Sequence, residues 1–347
     1  MRQFIKKTHL WLALPFCIIF IITCFTGSIL TFEEEISEIF NPQLYKVKHA
    51  NQNPLPYNIL MEKAQENISN PNAKITGITI FPDKNKCWRA NLSTPKHSFL
   101  AINQYTGEVQ GEYKQSGFFL NVFKLHRWLL DGWSTKKMGF FLGKFVVGIS
   151  TLLAVFVLLS GIIIWVPKTK AAVKQRFTIN FKKGLKRFLY DIHVSAGIYV
   201  VLILLICAVT GLTWSFEWYN KAFYSVLGVE TVVNKGNNTG DKIQKGDTEK
   251  PKTIVVMESL ENNFNSRAQN KYVYDYLSGE LLSTEKYADK DRNGKVKGVV
   301  YSLHVGSWGG LFSKFLYLFA TIIGGTLPVT GIRMWWNRIK RKKSITK

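Results

Sequence analysis

Four long stretches of the chain show no alternation of apolar and charged positions. Leu10 to Phe32, Phe145 to Pro167 and Ile192 to Phe216 contain no Lys, Arg, Asp or Glu, and Phe315 to Ile332 is a shorter stretch of the same kind. Uncharged runs of about 18 residues or more can cross a bilayer core as helices. The pattern predicts four transmembrane helices, over residues 9–32, 139–167, 189–216 and 309–337.

Between the spans, shorter periods return. In residues 33–138, Pro56 to Ile68 has helical spacing, and Ile75 to Phe81 alternates as a strand. Cys87 to Leu92 and Phe99 to Asn103 suggest further strands, ahead of a turn at Tyr105-Thr106-Gly107-Glu108. A second long loop, residues 217–308, includes the polar, Gly-containing linker 234–252 and a similar turn at Asp275 to Leu281. Each long loop is expected to form an α+β domain.

The apolar runs also repeat one another. His9 is followed by Thr26, Gly27, Phe32 and Glu33, and His193 by Thr210, Gly211, Phe216 and Glu217 at the same offsets. Histidine and glycine are eighteen residues apart in each run. That is five helical turns, so the two share a face about 27 Å apart. Lys144, Ser160, Gly161 and Trp165 recur as Lys314, Thr330, Gly331 and Trp335, and His126 and His304 precede these two spans. The expected fold is therefore a four-helix transmembrane bundle of two parallel repeats, carrying two extracytoplasmic α+β domains.

A formal net charge of +23 raises the question of nucleic acid, and its distribution answers it. Three basic residues precede the first span, eight lie between Pro167 and Phe188 and seven follow from Arg333, with no acid among them. The long loops balance thirteen basic against ten acidic residues in Glu33 to Met138, and thirteen against twelve in Glu217 to Gly310. This is the positive-inside arrangement, with both termini and the basic loop 168–188 and tail 338–347 cytoplasmic and both long loops outside. It points to a lipid bilayer and away from nucleic acid. The first run reads as a retained span rather than a cleaved signal, because it is long, lacks a small-x-small site and has an internal twin. Cys17, Cys24 and Cys207 lie in spans, leaving Cys87 alone outside, so no disulfide framework is implied.

The TGE-type turn, two exterior domains and histidine-bearing helices in two halves together resemble the PepSY-associated transmembrane family, which includes siderophore-iron reductases of membranes. The resemblance covers nearly the whole chain. It implies PepSY-like exterior domains, a bacterial inner-membrane location with both long loops periplasmic, and ferric-chelate reductase activity on a ferric siderophore or other ferric chelate.

The histidines carry the chemistry. His9 and His193 are expected at the cytoplasmic ends of the first and third spans, and His126 and His304 at the outer ends of the second and fourth. Each pair would straddle the axis relating the halves and supply both axial ligands of a b-type haem, giving two bis-histidine haems. Gly27 and Gly211 are expected beside the outer haem and Gly161 and Gly331 beside the inner one, where a missing side chain admits a flat macrocycle. Iron held by two histidines has no vacant position, so electron transfer is implied rather than oxygen activation. No nucleotide-binding loop is present, so electrons must come from a cytoplasmic reductase or quinol. The rival expectation is a membrane-anchored PepSY binding module that regulates a protease or envelope partner without redox activity. Asp289-x-Asp291-x-Asn293-Gly294 resembles the start of a calcium loop, but Val300 stands where a bidentate Glu is needed. His49 and His97 have no counterpart in the repeat and are expected at the surface.

Overall fold

The computed structural model describes residues 1–47, 53–132, 140–167, 169–229, 253–261 and 263–345. His49 and the linker 234–252 lie outside them. The chain forms two compact units, one of Met1–Glu33, Gly117–Phe223 and Val300–Lys347, the other of Glu34–Ser116 and Tyr224–Val299.

The first unit is helical. Four of its helices are long and apolar enough to cross a membrane: Arg2–Thr31, Leu142–Trp165, Gly184–Ser215 and Gly310–Lys340. The first tightens into a 3-10 turn at Leu14–Phe16, where Pro15 has no N–H to donate. The third widens into a π-turn at Ile192–Ala196, and the fourth continues to Ile345 through Pro328. The first and third helices each pack against the second and fourth, closing a four-membered ring.

Cys24, Leu158, Val200, Leu204 and Ala320 fill the middle of the ring. Ile18, Phe156, Leu202 and Phe319 point outward and are more than half exposed. A helical surface this apolar requires lipid rather than water around it, and the protein is membrane-embedded. Inside, Ser28 and Thr321 hydrogen-bond across the first and fourth helices at 2.8 Å, a polar tie in a setting without water. The basic stretch expected as a loop at 168–188 contains two short helices, Lys170–Phe177 and Gly184–Asp191, the second leading directly into the third span.

The second unit is α+β. Its strands are β1 (Ile75–Ile80), β2 (Trp88–Leu92), β3 (Phe99–Ile102), β4 (Val109–Tyr113), β5 (Thr253–Ser259), β6 (Gln269–Asp275) and β7 (Leu281–Glu285). They form one sheet in the order β4-β3-β2-β1-β5-β6-β7, antiparallel except where β1 and β5 run parallel with Ile78 opposite Val256. The two long loops, expected as separate domains over 33–138 and 217–308, thus share a sheet, while Gly117 onward and Val300 onward belong to the helical unit. The join depends on Gly77, since a Cβ there would lie 2.7 Å from the Val255 carbonyl oxygen. Helix Tyr57–Glu66 contributes Leu60, Met61 and Ala64 to a core with Ile78, Ala90, Leu100 and Val256.

The two turns that were similar in sequence are similar in structure. Gly107 and Gly279 adopt φ of 73° and 70°, where glycine has no steric cost. Asn103 Oδ1 accepts from Tyr105 and Thr106 N–H groups, as Asp275 Oδ1 does from Leu277 and Ser278. The calcium-like stretch ends as a helix cap, with Gly294 N–H donating to Asp291 Oδ1 at 2.7 Å.

Candidate functional site

Two pairs of imidazoles lie within the helical unit. His9 and His193 have ring centroids 6.4 Å apart with planes at 84°, and His126 and His304 are also 6.4 Å apart, at 61°. His9 and His193 project from the first and third spans. Asp191, fully buried just ahead of His193, accepts from Arg187 Nε at 2.9 Å and Asn180 N at 3.0 Å, which fixes the chain where it enters the third span.

His126 and His304, expected at the outer ends of the second and fourth spans and just ahead of them in the chain, lie in the last turns of separate helices, Gly117–Trp128 and Arg292–Val305. The first of these ends in two left-handed residues, Leu129 (φ 54°) and Leu130 (φ 60°), and the second at Gly306 (φ 73°). Left-handed backbone at non-glycine residues costs on the order of 1 kcal/mol each, so packing must hold the first turn in place. Ser313 Oγ donates to the Gly306 carbonyl at 2.7 Å and Tyr317 Oη to the Leu303 carbonyl at 2.5 Å, fastening the turn after His304.

Each imidazole is gripped by the other span of its own half. His9 Nδ1 lies 3.1 Å from the Val157 carbonyl and 2.9 Å from Ser160 Oγ. His193 Nδ1 lies 3.0 Å from both the Leu327 carbonyl and Thr330 Oγ1. The others reach back: His126 Nδ1 is 2.9 Å from Thr26 Oγ1, and His304 Nδ1 is 3.0 Å from the Cys207 carbonyl and 3.1 Å from Thr210 Oγ1.

These contacts assign the tautomer. A carbonyl can only accept, so Nδ1 of His9, His193 and His304 must carry hydrogen. Each hydroxyl also donates to a carbonyl one helical turn back, as in Thr26 to Ile22 at 2.6 Å and Thr330 to Thr326 at 3.1 Å. Its hydrogen is committed, and its oxygen is left to accept from the ring. In the neutral ring Nε2 then keeps its lone pair, the form that ligates metals.

The glycines after the hydroxyls lie against the same rings. A Cβ at Gly211 would lie 3.0 Å from His304 Cε1, at Gly331 3.1 Å from His193 Cε1, at Gly27 3.2 Å from His126 Cε1 and at Gly161 3.6 Å from His9 Cε1. Their immediate neighbour is therefore an imidazole edge. Thr26-Gly27, Ser160-Gly161, Thr210-Gly211 and Thr330-Gly331 act as four clasps, each a hydroxyl acceptor beside a gap for the ring. A hydroxyl residue before glycine in every span was the available signal, and sequence reasoning used the hydroxyl residues only to align the repeats while assigning the glycines to the space beside each haem. It also missed Trp214, whose ring centroid is 5.0 Å from that of His304.

Chemically, each pair offers two nitrogen donors to whatever lies between them. Among the described residues no group of three or more His, Cys, Asp or Glu is arranged for a metal ion.

A family model described as "PepSY-associated TM region" matches residues 6–338. The chain belongs to the PepSY-associated TM region family. All four clasps and both imidazole pairs lie within the matched segment of this PepSY-associated protein. No curated protein matches the chain.

Proposed function

We propose that this PepSY-associated protein is a two-haem b-type electron carrier of the bacterial inner membrane that reduces a ferric siderophore or similar ferric chelate outside the cytoplasm. The observation that carries the reading is the separation of the imidazoles. Metal–nitrogen bonds of about 2 Å, with each ring centre a little over 1 Å behind its nitrogen, put two axial imidazoles at roughly 6 Å between centroids. Both pairs, at 6.4 Å, are close to that separation, which supports the reading. The Nδ1 contacts support it further, because a ring whose second nitrogen donates to a fixed acceptor is oriented for ligation and made more basic.

In this reading His9 and His193 hold the haem at the electron-entry side, and His126 and His304 hold the one at the exit side. Ser160, Thr330, Thr26 and Thr210 fix the ring planes, and the apolar walls exclude water. Haem held by these histidines would supply one-electron chemistry. The two halves act as parallel repeats about an axis along the membrane normal, with both termini cytoplasmic and the sheet unit periplasmic. A cytoplasmic reductase or quinol supplies the electrons. Reduction to ferrous iron weakens its hold on hard oxygen donors and frees it from the chelate.

The reading is tested by spectroscopy on membranes supplied with haem. Purified protein should show a b-type reduced-minus-oxidised spectrum and oxidise on adding a ferric hydroxamate. A spectrum without haem would remove the proposal.

A further inference from the structure

The basic end of the helical unit contains a cavity that the imidazole pairs do not use. It has a volume of about 370 Å³ and is lined by Arg2, Gln3, Lys6, Thr169, Ala172 and Arg176. Every polar side chain in this lining can donate a hydrogen bond, three are cations and none is an acid.

Part of that charge is already used. Arg2 Nη2 donates to the carbonyls of Ile164 at 2.7 Å and Val166 at 2.5 Å, and Arg176 Nη1 donates to Ile164 at 3.1 Å and to Trp165. These are carbonyls at the open end of helix Leu142–Trp165, which lack partners within the helix. A helix C-terminus carries only about half a negative charge, so roughly two and a half of the three positive charges remain uncompensated. Arg2 Nε is buried without a hydrogen-bond partner, and an orphaned donor next to a cavity marks a position for an acceptor.

We infer that this cavity binds the phosphate group of an anionic ligand, with Arg2, Lys6 and Arg176 as charge-assisted donors and Thr169 and Gln3 as neutral ones. Phosphate offers several acceptor oxygens and a charge that matches the surplus, and guanidinium groups suit it geometrically. Two sources carry this chemistry: the headgroup of an anionic phospholipid and the phosphate ester of a soluble cofactor. Arg2 and Lys6 precede His9 by about 10 Å and 5 Å of helical rise, so the occupant lies beside the first imidazole pair. The inference does not require haem, since its test reads ligand binding.

The test uses the full-length protein in detergent. Native mass spectrometry compares phosphatidylglycerol with diacylglycerol, and fluorescence titration compares flavin mononucleotide with riboflavin; each pair contrasts a phosphate-bearing ligand with one lacking it. One phosphate-bearing ligand should bind at least about tenfold more tightly than its counterpart, and which one it is identifies the source. Lys6 caps none of the three helix-end carbonyls, so Lys6→Gln should leave the melting temperature unchanged while weakening binding by about tenfold. Arg176→Gln should weaken it at least as much, and raising the salt should weaken it in the wild type. The inference is overturned if neither phosphate ligand exceeds its counterpart, or if binding is unchanged in Lys6→Gln and Arg176→Gln.

Discussion

Replacing Gly211 with alanine tests whether the clasps exist to seat the imidazoles. The added methyl would lie 3.0 Å from His304 Cε1, well inside the usual carbon–carbon separation of about 3.5–4.0 Å. The ring has little room to retreat, because Cys207 and Thr210 hold Nδ1 at 3.0 and 3.1 Å and Trp214 packs 5.0 Å away. Overpacking of this kind costs about 1–3 kcal/mol, offset by up to about 1 kcal/mol for the better helix propensity of alanine. At Gly161 the same methyl would lie 3.6 Å from His9 Cε1, an ordinary contact, so Gly161→Ala should be neutral or slightly stabilising. The assay is haem per chain by pyridine haemochrome, together with the thermal midpoint. Gly211→Ala should lose part of one haem or shift its spectrum, and Gly161→Ala should match wild type. Equal damage from both would refute the reasoning, because the glycines would then be clearing space for the macrocycle rather than for the rings.

Two further outcomes follow from the same geometry. Thr26→Val removes the hydroxyl that accepts from His126 Nδ1 at 2.9 Å, costing about 1 kcal/mol, and a less basic ligand should move the outer haem to a more positive potential in a redox titration. In the sheet unit, burial beside Trp88 and the neighbouring Tyr274 pushes the Tyr57 phenol up to about 12, against about 10 when unfolded. The neutral phenol therefore stabilises the fold below pH 10 and this contribution is lost as pH rises through 12; the urea midpoint of full-length Tyr57→Phe should depend less on pH in that window than wild type.

Local patterns in the chain conveyed the spans well. The runs around Leu10, Phe145, Ile192 and Phe315 carry no charge, and apolar length is a signal that depends on no distant partner. The paired turns were equally readable, because Gly107 and Gly279 sit in left-handed positions that constrain local composition. Long-range pairing left no such trace. Ile78 meets Val256 across a parallel strand pair, and nothing in the period of either strand says that two loops will share one sheet. Both histidines were placed ahead of their spans, but the separate helices that carry them, Gly117–Trp128 and Arg292–Val305, were not foreseen, because segments of 12 and 14 residues hold no apolar run long enough to mark them. The four hydroxyl-glycine pairs were visible in sequence, but their partner lies on another helix, so offset alone could not distinguish a ring seat from space for a cofactor.

The central claim is that two imidazole pairs hold two haems. Its most direct measurement is haem per chain in wild type and in the double variant His126→Ala with His304→Ala, both produced with ample haem. The account predicts two in the wild type and one in the variant, with the retained haem keeping a bis-histidine spectrum. Two haems in the variant, or none in the wild type, would contradict it.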